Sequence, residues 1–159
     1  MDLAAIQRRL EIEELYTLYA HCLDDDRLEE WPEFFTPDCT YRVTSAENYE
    51  AGLPLGIIYA TSKNMLVDRV MALRRANIYE PQRYRHLISS VRIGPAEGDM
   101  LDAVANFLVV RTMQDGAMTL FAAGRYIDRV VRTEGSWRFA GKQVVLDSRQ
   151  IDTLLALPL

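Results

Sequence analysis

The sequence has few of the residues that bind metals or form covalent cross-links. Its 159 residues include two cysteines, Cys22 and Cys39, and two histidines, His21 and His86. The cysteines do not form a CxxC pair, so neither a disulfide framework nor a zinc site is indicated. Both cysteines are therefore predicted to be buried apolar side chains.

The same scarcity limits the redox chemistry that the chain could carry by itself. A [2Fe–2S] cluster held by two Cys and two His would consume every such residue, and the paired spacing of such clusters is absent. A mononuclear iron site would need His21 and His86 to meet from distant segments beside a carboxylate. The number of histidines does not exclude haem ligation by a single His. We therefore predict that any oxidative chemistry is carried by a partner.

Long apolar runs and an excess of positive charge are also missing. The net charge is −5 with both signs mixed along the chain, which favours neither nucleic acid nor an anionic membrane surface as a partner. No run approaches the roughly 18 apolar residues of a membrane span. Residues 1–9 lack the basic start and apolar run of a signal peptide. We expect a soluble, cytoplasmic protein.

The first half of the chain is predicted to be mainly helical. Apolar residues at helical spacing predict helices over residues 2–23, around Trp31, and over residues 63–77. Alternation predicts a strand at residues 39–44, and residues 45–62 are predicted to form a long apolar loop. The stripe predicted to face the core in the first helix comprises Leu3, Ile6, Leu10, Leu15, Leu18 and Cys22.

The second half is predicted to be β. After an irregular segment, strands are predicted at residues 86–93, 100–113, 118–132 and 137–146, separated by glycine-containing turns. The strand at residues 100–113 is apolar on both faces, which predicts that other parts of the structure cover both faces. A strand of 14 residues spans about 45 Å and must twist strongly.

Helices followed by a long meander predict one α+β domain over residues 1–159, with a curved antiparallel sheet wrapped around helices. This cone resembles the nuclear-transport-factor-2-like, or cystatin-like, fold. Cone-fold dehydratases and isomerases that it resembles place an Asp/His pair inside the cone for acid–base catalysis. His86 is the candidate here, although a purely structural hydrogen bond is favoured. Its possible partners are Asp24, Asp25, Asp38 and Asp102.

Three other segments are candidates for capping or for binding a partner. Residues 24–26 are three aspartates, predicted to end a helix rather than to bind a metal, because no EF-hand loop is present. The Arg- and Tyr-rich segment of Arg83, Tyr84 and Arg85 favours a subunit interface over carboxylate recognition or a solvated surface. The apolar tail is predicted to pack against another chain, the alternative being its own core. Its interface candidates are Leu155, Leu157 and Leu159.

Several blocks resemble one family, the small (β) subunits of Rieske-type aromatic-ring-hydroxylating dioxygenases. They are EWPEFF at residues 30–35 with CTYRV at 39–43, RHLIS at 85–89, FAAGRYID at 121–128, and the strand at 137–147. A narrower resemblance, to members that serve terephthalate oxidation, is carried by GLPLGI, RRANIYE and DTLLALPL, which start at residues 52, 74 and 152.

The resemblance implies a division of labour. A large (α) subunit would hold the Rieske [2Fe–2S] cluster and the mononuclear Fe(II), and a separate reductase would deliver electrons from NADH or NADPH. This chain would bind no cofactor and no metal, contribute no catalytic residue, and brace an α3β3 hexamer that cis-dihydroxylates an aromatic carboxylate. Two alternatives stay open, a stand-alone acid–base enzyme that uses His86 with an Asp and a cone-fold binding module without chemistry.

Overall fold

Helices come early in the chain and long strands come late, which confirms the predicted α+β class. The computed structural model describes residues 2–54, 56–76, 81–148 and 157–159. The helices are α1 (Leu3–Asp24), α2 (Ala46–Glu50) and α3 (Lys63–Ala76), with a 3-10 helix at Trp31–Phe34. The strands are β1 (Phe35–Ser45), β2 (Ile58–Ala60), β3 (Gln82–Ile93), β4 (Met100–Met113), β5 (Met118–Thr133) and β6 (Ser136–Leu146).

The six strands form one sheet in the order β2-β1-β6-β5-β4-β3. Neighbouring strands are antiparallel except β1 and β6, which run parallel, with Thr40 opposite Gly141. The pairs β3–β4, β4–β5 and β5–β6 each contain a register shift. Because such bulges increase local twist, the sheet curls around α1 and forms the predicted cone.

Helix α1 presents a different face to the core than the predicted stripe. Leu3, Leu10 and Leu18 were expected inside but are 78%, 60% and 49% exposed. Tyr16 and Tyr19 occupy core positions, where aromatic rings bury a large apolar area and their hydroxyls find partners. The prediction was correct for Leu15 and Cys22. The buried residues of α1 are Ile12, Leu15, Tyr16, Tyr19, Cys22 and Leu23.

Short elements account for the other differences from the predicted boundaries. The helix expected around Trp31 is a four-residue 3-10 helix, and β1 begins at Phe35 rather than at Cys39. The loop expected at residues 45–62 contains α2 and the edge strand β2. Strand β3 begins at Gln82, so the segment predicted as irregular is largely strand where the structure describes it. Elements of three to five residues carry too few positions for a periodic signal.

Strand β4 was expected to be covered on both faces, and within the described residues only one face is. Leu101, Phe107 and Val109 point into the cone and are buried, whereas Leu108 and Val110 on the outer face are half-buried. Successive residues of β4 therefore alternate between a core face and an outer face, and the outer face is unusually apolar.

Candidate functional site

An aspartate–histidine pair lies where the end of α1 meets β3. The Nδ1 atom of His86 is 2.6 Å from Oδ1 of Asp24, and the backbone N–H of His86 donates to both carboxylate oxygens at 3.0 Å. The two side chains are 0% and 4% exposed. The carboxylate thereby orients the imidazole and ties the edge strand to the helix. The structure thus selects Asp24 among the four predicted partners of His86.

The two aspartates that follow Asp24, and Asp102, have separate roles. Asp25 is the C-cap of α1, Asp26 has a positive φ of 58°, and its carboxylate accepts from Arg74 at 2.9 Å. Asp102 pairs with Arg129 on the outer face of the sheet. The three consecutive aspartates therefore end the helix, as predicted, and hold neighbouring segments.

A buried ion pair lies deeper in the cone and was not predicted. Lys142 on β6 stands opposite Asp128 on β5, with 2.9 Å between Nζ and Oδ2, and both side chains are 0% exposed. Tyr16 donates to the same oxygen at 2.6 Å. The ammonium group also lies 3.6 Å from the ring centroid of Tyr126 and 4.2 Å from that of Phe139.

Burial disfavours the charged forms of both groups, whereas the attraction between them favours the charged forms. Desolvation lowers the pKa of Lys142 and raises the pKa of Asp128, while the attraction between the two groups acts in the opposite direction on each. The sequence signal that could have located Asp128 in the interior is strand alternation, because Asp128 continues the inward-facing series of Tyr126 and Val130.

Residues 157–159 fill the interior of the cone. The carbonyl of Leu159 accepts from the hydroxyls of Tyr19 at 2.7 Å and Tyr41 at 3.1 Å, and Leu159 is 0% exposed. Leu157 is also buried. Both leucines were interface candidates, but here they pack within their own domain, as the alternative interpretation held. The third candidate of the tail, Leu155, lies outside the described residues.

The Arg- and Tyr-rich segment lies on β3 and divides between the two faces of that strand. Arg83 and Arg85 are exposed on the outer face, whereas Tyr84 is buried and stacks on Phe121 with 5.2 Å between ring centroids. Arg74 forms ion pairs with Asp26 and Glu29. Tyr84 therefore faces the domain interior, whereas Arg83 and Arg85 remain exposed.

The two arginines border an apolar surface, which we call the outer patch. Register places Arg85 beside Val110, and Val110 beside Leu120. Leu87, Met118 and Leu120 are 49%, 69% and 77% exposed. Exposed apolar side chains in a cluster of this kind are typical of an interaction surface. The outer patch consists of Leu87, Leu108, Val110, Met118 and Leu120.

The metal-binding residue types are dispersed in the part of the chain that the structure describes. No group of three or more His, Cys, Asp or Glu side chains there is placed to hold a metal ion. His86 is engaged by Asp24, and Cys22 donates to the carbonyl of Arg27 at 3.1 Å. Among the described helices, none is both long and apolar enough to cross a membrane.

Both thiols are expected to be unreactive in the folded protein. Cys22 and Cys39 are 1% and 0% exposed, and burial raises the pKa of each to about 11. Since the thiolate is the reactive form, a thiol reagent such as dithionitrobenzoate at pH 8 should modify neither residue on the time scale of minutes. In denaturant both should react at once. Rapid native modification of either cysteine would contradict the described packing.

Comparison with known proteins identifies the same family across nearly the whole chain. Residues 4–142 match the model of the SnoaL-like domain. The chain is 45% identical to the anthranilate 1,2-dioxygenase small subunit of Burkholderia cepacia, over 94% of this chain and 92% of that protein. It is 43% identical to the terephthalate 1,2-dioxygenase terminal oxygenase component subunit beta 1 of a Comamonas species, over 94% and 97%.

A solved structure agrees with these relatives. A β subunit assigned to an aromatic-ring-hydroxylating dioxygenase of Novosphingobium aromaticivorans is 40% identical and superposes with a TM-score of 0.90, covering 98% of this chain and 99% of that one. The recognition made on sequence blocks is confirmed at the level of the family. The chain belongs to the SnoaL-like domain family and, within it, to the small subunits of aromatic-ring-hydroxylating dioxygenases.

Proposed function

We propose that this chain is a structural, non-catalytic small subunit that braces the large subunits of a ring-hydroxylating dioxygenase. The observation that carries this proposal is the distribution of apolar groups between the inside and the outside of the cone. Inside, Leu157 and Leu159 are buried, and the carbonyl of Leu159 accepts from the hydroxyl of Tyr19. Outside, the outer patch is exposed and has arginines at its border. A filled interior and an apolar exterior suit a subunit that acts through contact.

The chemistry of the assembly would reside in its partners. A large (α) subunit would hold the Rieske [2Fe–2S] cluster and the mononuclear Fe(II), and a reductase would pass electrons from NADH or NADPH. The assembly would be an α3β3 hexamer in the cytoplasm. It would add both atoms of O2 to an aromatic carboxylate, with two electrons and two protons, to form a cis-dihydrodiol. Terephthalate follows from the sequence resemblance, and a relative named for anthranilate makes that acid the second substrate to assay.

The proposal predicts that the outer patch and its arginines control assembly. Leu120→Asp places a charge on an apolar contact, and Arg85→Glu reverses the charge beside it. Each is expected to reduce recovery of this chain with its tagged large subunit at least tenfold, which corresponds to about 1.4 kcal/mol. Co-expression followed by size-exclusion chromatography measures the recovery.

The chain contains a closely matched control. Leu3→Asp on α1 changes a leucine that is 78% exposed, against 77% for Leu120, and should leave co-purification unchanged. Equal losses from both substitutions would show that the outer patch is not the contact.

Turnover of terephthalate and anthranilate per assembled hexamer should be unaffected by His86→Asn, because the pair with Asp24 is assigned no chemical step. Loss of turnover at equal assembly would contradict the non-catalytic role.

A further inference from the structure

The register of the sheet places two arginines on one side of the outer patch. Arg85 stands opposite Val110 of the patch, and Arg83 lies two residues earlier, on the same face of β3. Both side chains are exposed. They add positive charge to the side of the patch that lies nearer the turn between β4 and β5.

Two further arginines lie on the other side of the same patch. Arg125 of β5 stands opposite Asn106, and Arg92 of β3 stands opposite Val104. Val104 and Asn106 precede Leu108 on the outer face of β4, at the two-residue spacing of side chains that share one face of a strand. Arg92 and Arg125 are exposed. We use the name arginine border for the set of Arg83, Arg85, Arg92 and Arg125.

No carboxylate lies between the two halves of the arginine border on the outer face of β3, β4 and β5. The positions there hold apolar residues, Ser, Thr or Asn. The nearest acid along β4, Asp102, pairs with Arg129 at 3.0 Å, and Asp115 in the turn accepts from the N–H of Ala117. None of the four arginines forms an ion pair with a described residue. A chain of net charge −5 thus collects four positive charges around one apolar surface.

This combination fits one kind of partner. Guanidinium groups are weakly hydrated and bind carboxylates through two parallel hydrogen bonds, and arginine is enriched at protein interfaces. The apolar centre of the surface needs an apolar counterpart, which a nucleic-acid backbone does not offer. A second copy of this chain that met the first through the same face would bring two arginine borders together, and like charges across an interface suppress association. The surface therefore favours a different protein, with carboxylates around apolar side chains.

We propose that the outer patch and the arginine border recognise an acidic, apolar segment of the large subunit, in which Asp and Glu side chains flank exposed aliphatic or aromatic ones. This inference rests on the proposed function and adds the chemistry of the partner surface. Opposite charges attract over a Debye length of about 10 Å at 0.1 M salt, so they steer the approach of the two subunits and raise the association rate. The apolar contact then holds the complex and depends little on salt.

Carbodiimide coupling in the co-expressed complex tests this chemistry, because the reagent joins an amine to a carboxylate that contacts it. The chain has two lysines, Lys63, which pairs with Glu33, and Lys142, which is buried, so background coupling is low. Arg85→Lys and Arg125→Lys each keep the charge and supply an amine, one on each side of the patch. We expect both variants to couple to Asp or Glu residues of the large subunit, identified by mass spectrometry of the digested complex.

Arg75→Lys is the matched control for the coupling experiment. Arg75 is exposed in the last turn of α3, whose buried residues Leu66 and Val70 belong to the core rather than to the outer face. Its amine should not couple to the large subunit. Coupling of Arg85→Lys and Arg125→Lys to another small subunit, or coupling no greater than that of Arg75→Lys, would overturn the proposal.

The kinetics of assembly provide an independent test. With a tagged large subunit immobilised, the wild-type chain should associate about tenfold more slowly at about 500 mM NaCl than at about 50 mM, while its dissociation rate changes by less than about threefold. Arg125→Glu should slow association severalfold at the lower salt concentration. Arg75→Glu makes the same change in net charge and should leave the rate unchanged.

The outcomes separate this inference from the proposed function. Association that is independent of salt, together with a loss of recovery in Leu120→Asp, would refute the acidic partner surface and leave the bracing role intact. Equal losses of recovery for Leu120→Asp and Leu3→Asp would instead remove the outer patch from the proposed function.

Discussion

Replacing Lys142 with methionine is expected to lower the free energy of unfolding by about 3–5 kcal/mol, because it leaves the carboxylate of Asp128 buried without its cation. Both side chains are 0% exposed, and the hydroxyl of Tyr16 would still donate to Oδ2. Methionine approximates the length of the lysine stem, so the lost charge rather than a cavity dominates the effect. Urea unfolding followed by circular dichroism measures the change.

Lys63 provides the matched control for this substitution. Its Nζ lies 2.9 Å from Oε2 of Glu33, the same separation as in the buried pair, but the side chains are 25% and 69% exposed. Lys63→Met should therefore cost no more than about 1 kcal/mol. Adding Asp128→Leu to Lys142→Met should recover part of the stability, since no isolated charge then remains. Equal costs for Lys142→Met and Lys63→Met would contradict the assignment of a buried charge pair.

Gly124→Ala is expected to be among the most damaging substitutions in the sheet. A Cβ at this position would lie 1.9 Å from the carbonyl oxygen of Val145 on the neighbouring strand. Since the obstacle is backbone, no side-chain rotation relieves it, and β5 and β6 must separate locally. The cost should reach or exceed the upper end of the roughly 1–3 kcal/mol typical of overpacking, with loss of folded protein at 37 °C.

Another glycine of the same strand pair tests whether the close approach is the cause. At Gly141 a Cβ would meet only the side-chain oxygen of Thr40, at 3.1 Å, which can rotate away. Gly141→Ala should therefore stay within about 1 kcal/mol of the wild type. Thermal melts of the two variants give the comparison. A mild Gly124→Ala variant would show that β5 and β6 approach less closely than described.

The long elements could be predicted from the sequence because their periodic signals extend over many residues. Strand β4 was predicted at its observed bounds, and the Asp115–Gly116 turn was found because Gly116 has the positive φ, 89°, that glycine adopts easily. The prediction of which face of α1 packs against the core was wrong, because several leucines compete with Tyr16 and Tyr19 for the inner side. Only tertiary packing decides between such stripes.

The candidate sites depended on contacts between distant segments. Asp24 and His86 are 62 residues apart, and four aspartates were equally suitable before the fold brought one of them to β3. The position of Leu159 beside Tyr19 and Tyr41 joins segments separated by 140 and 118 residues. An apolar tail predicts that the tail is buried. Whether it is buried in the core of its own domain or against another chain depends on the space inside the cone, which the sequence does not show.

The parallel pairing of β1 with β6 has a consequence for biosynthesis. Strand β1 is made early, yet its neighbour toward the sheet centre is β6, the last strand among the described residues, and the partner of Thr40 is Gly141. Hairpins among β3, β4, β5 and β6 can form as each strand leaves the ribosome, whereas β1 must wait for most of the chain. During that interval its apolar edge is open to wrong partners. A nascent chain of this kind gains most from chaperones, or from a large subunit made alongside it.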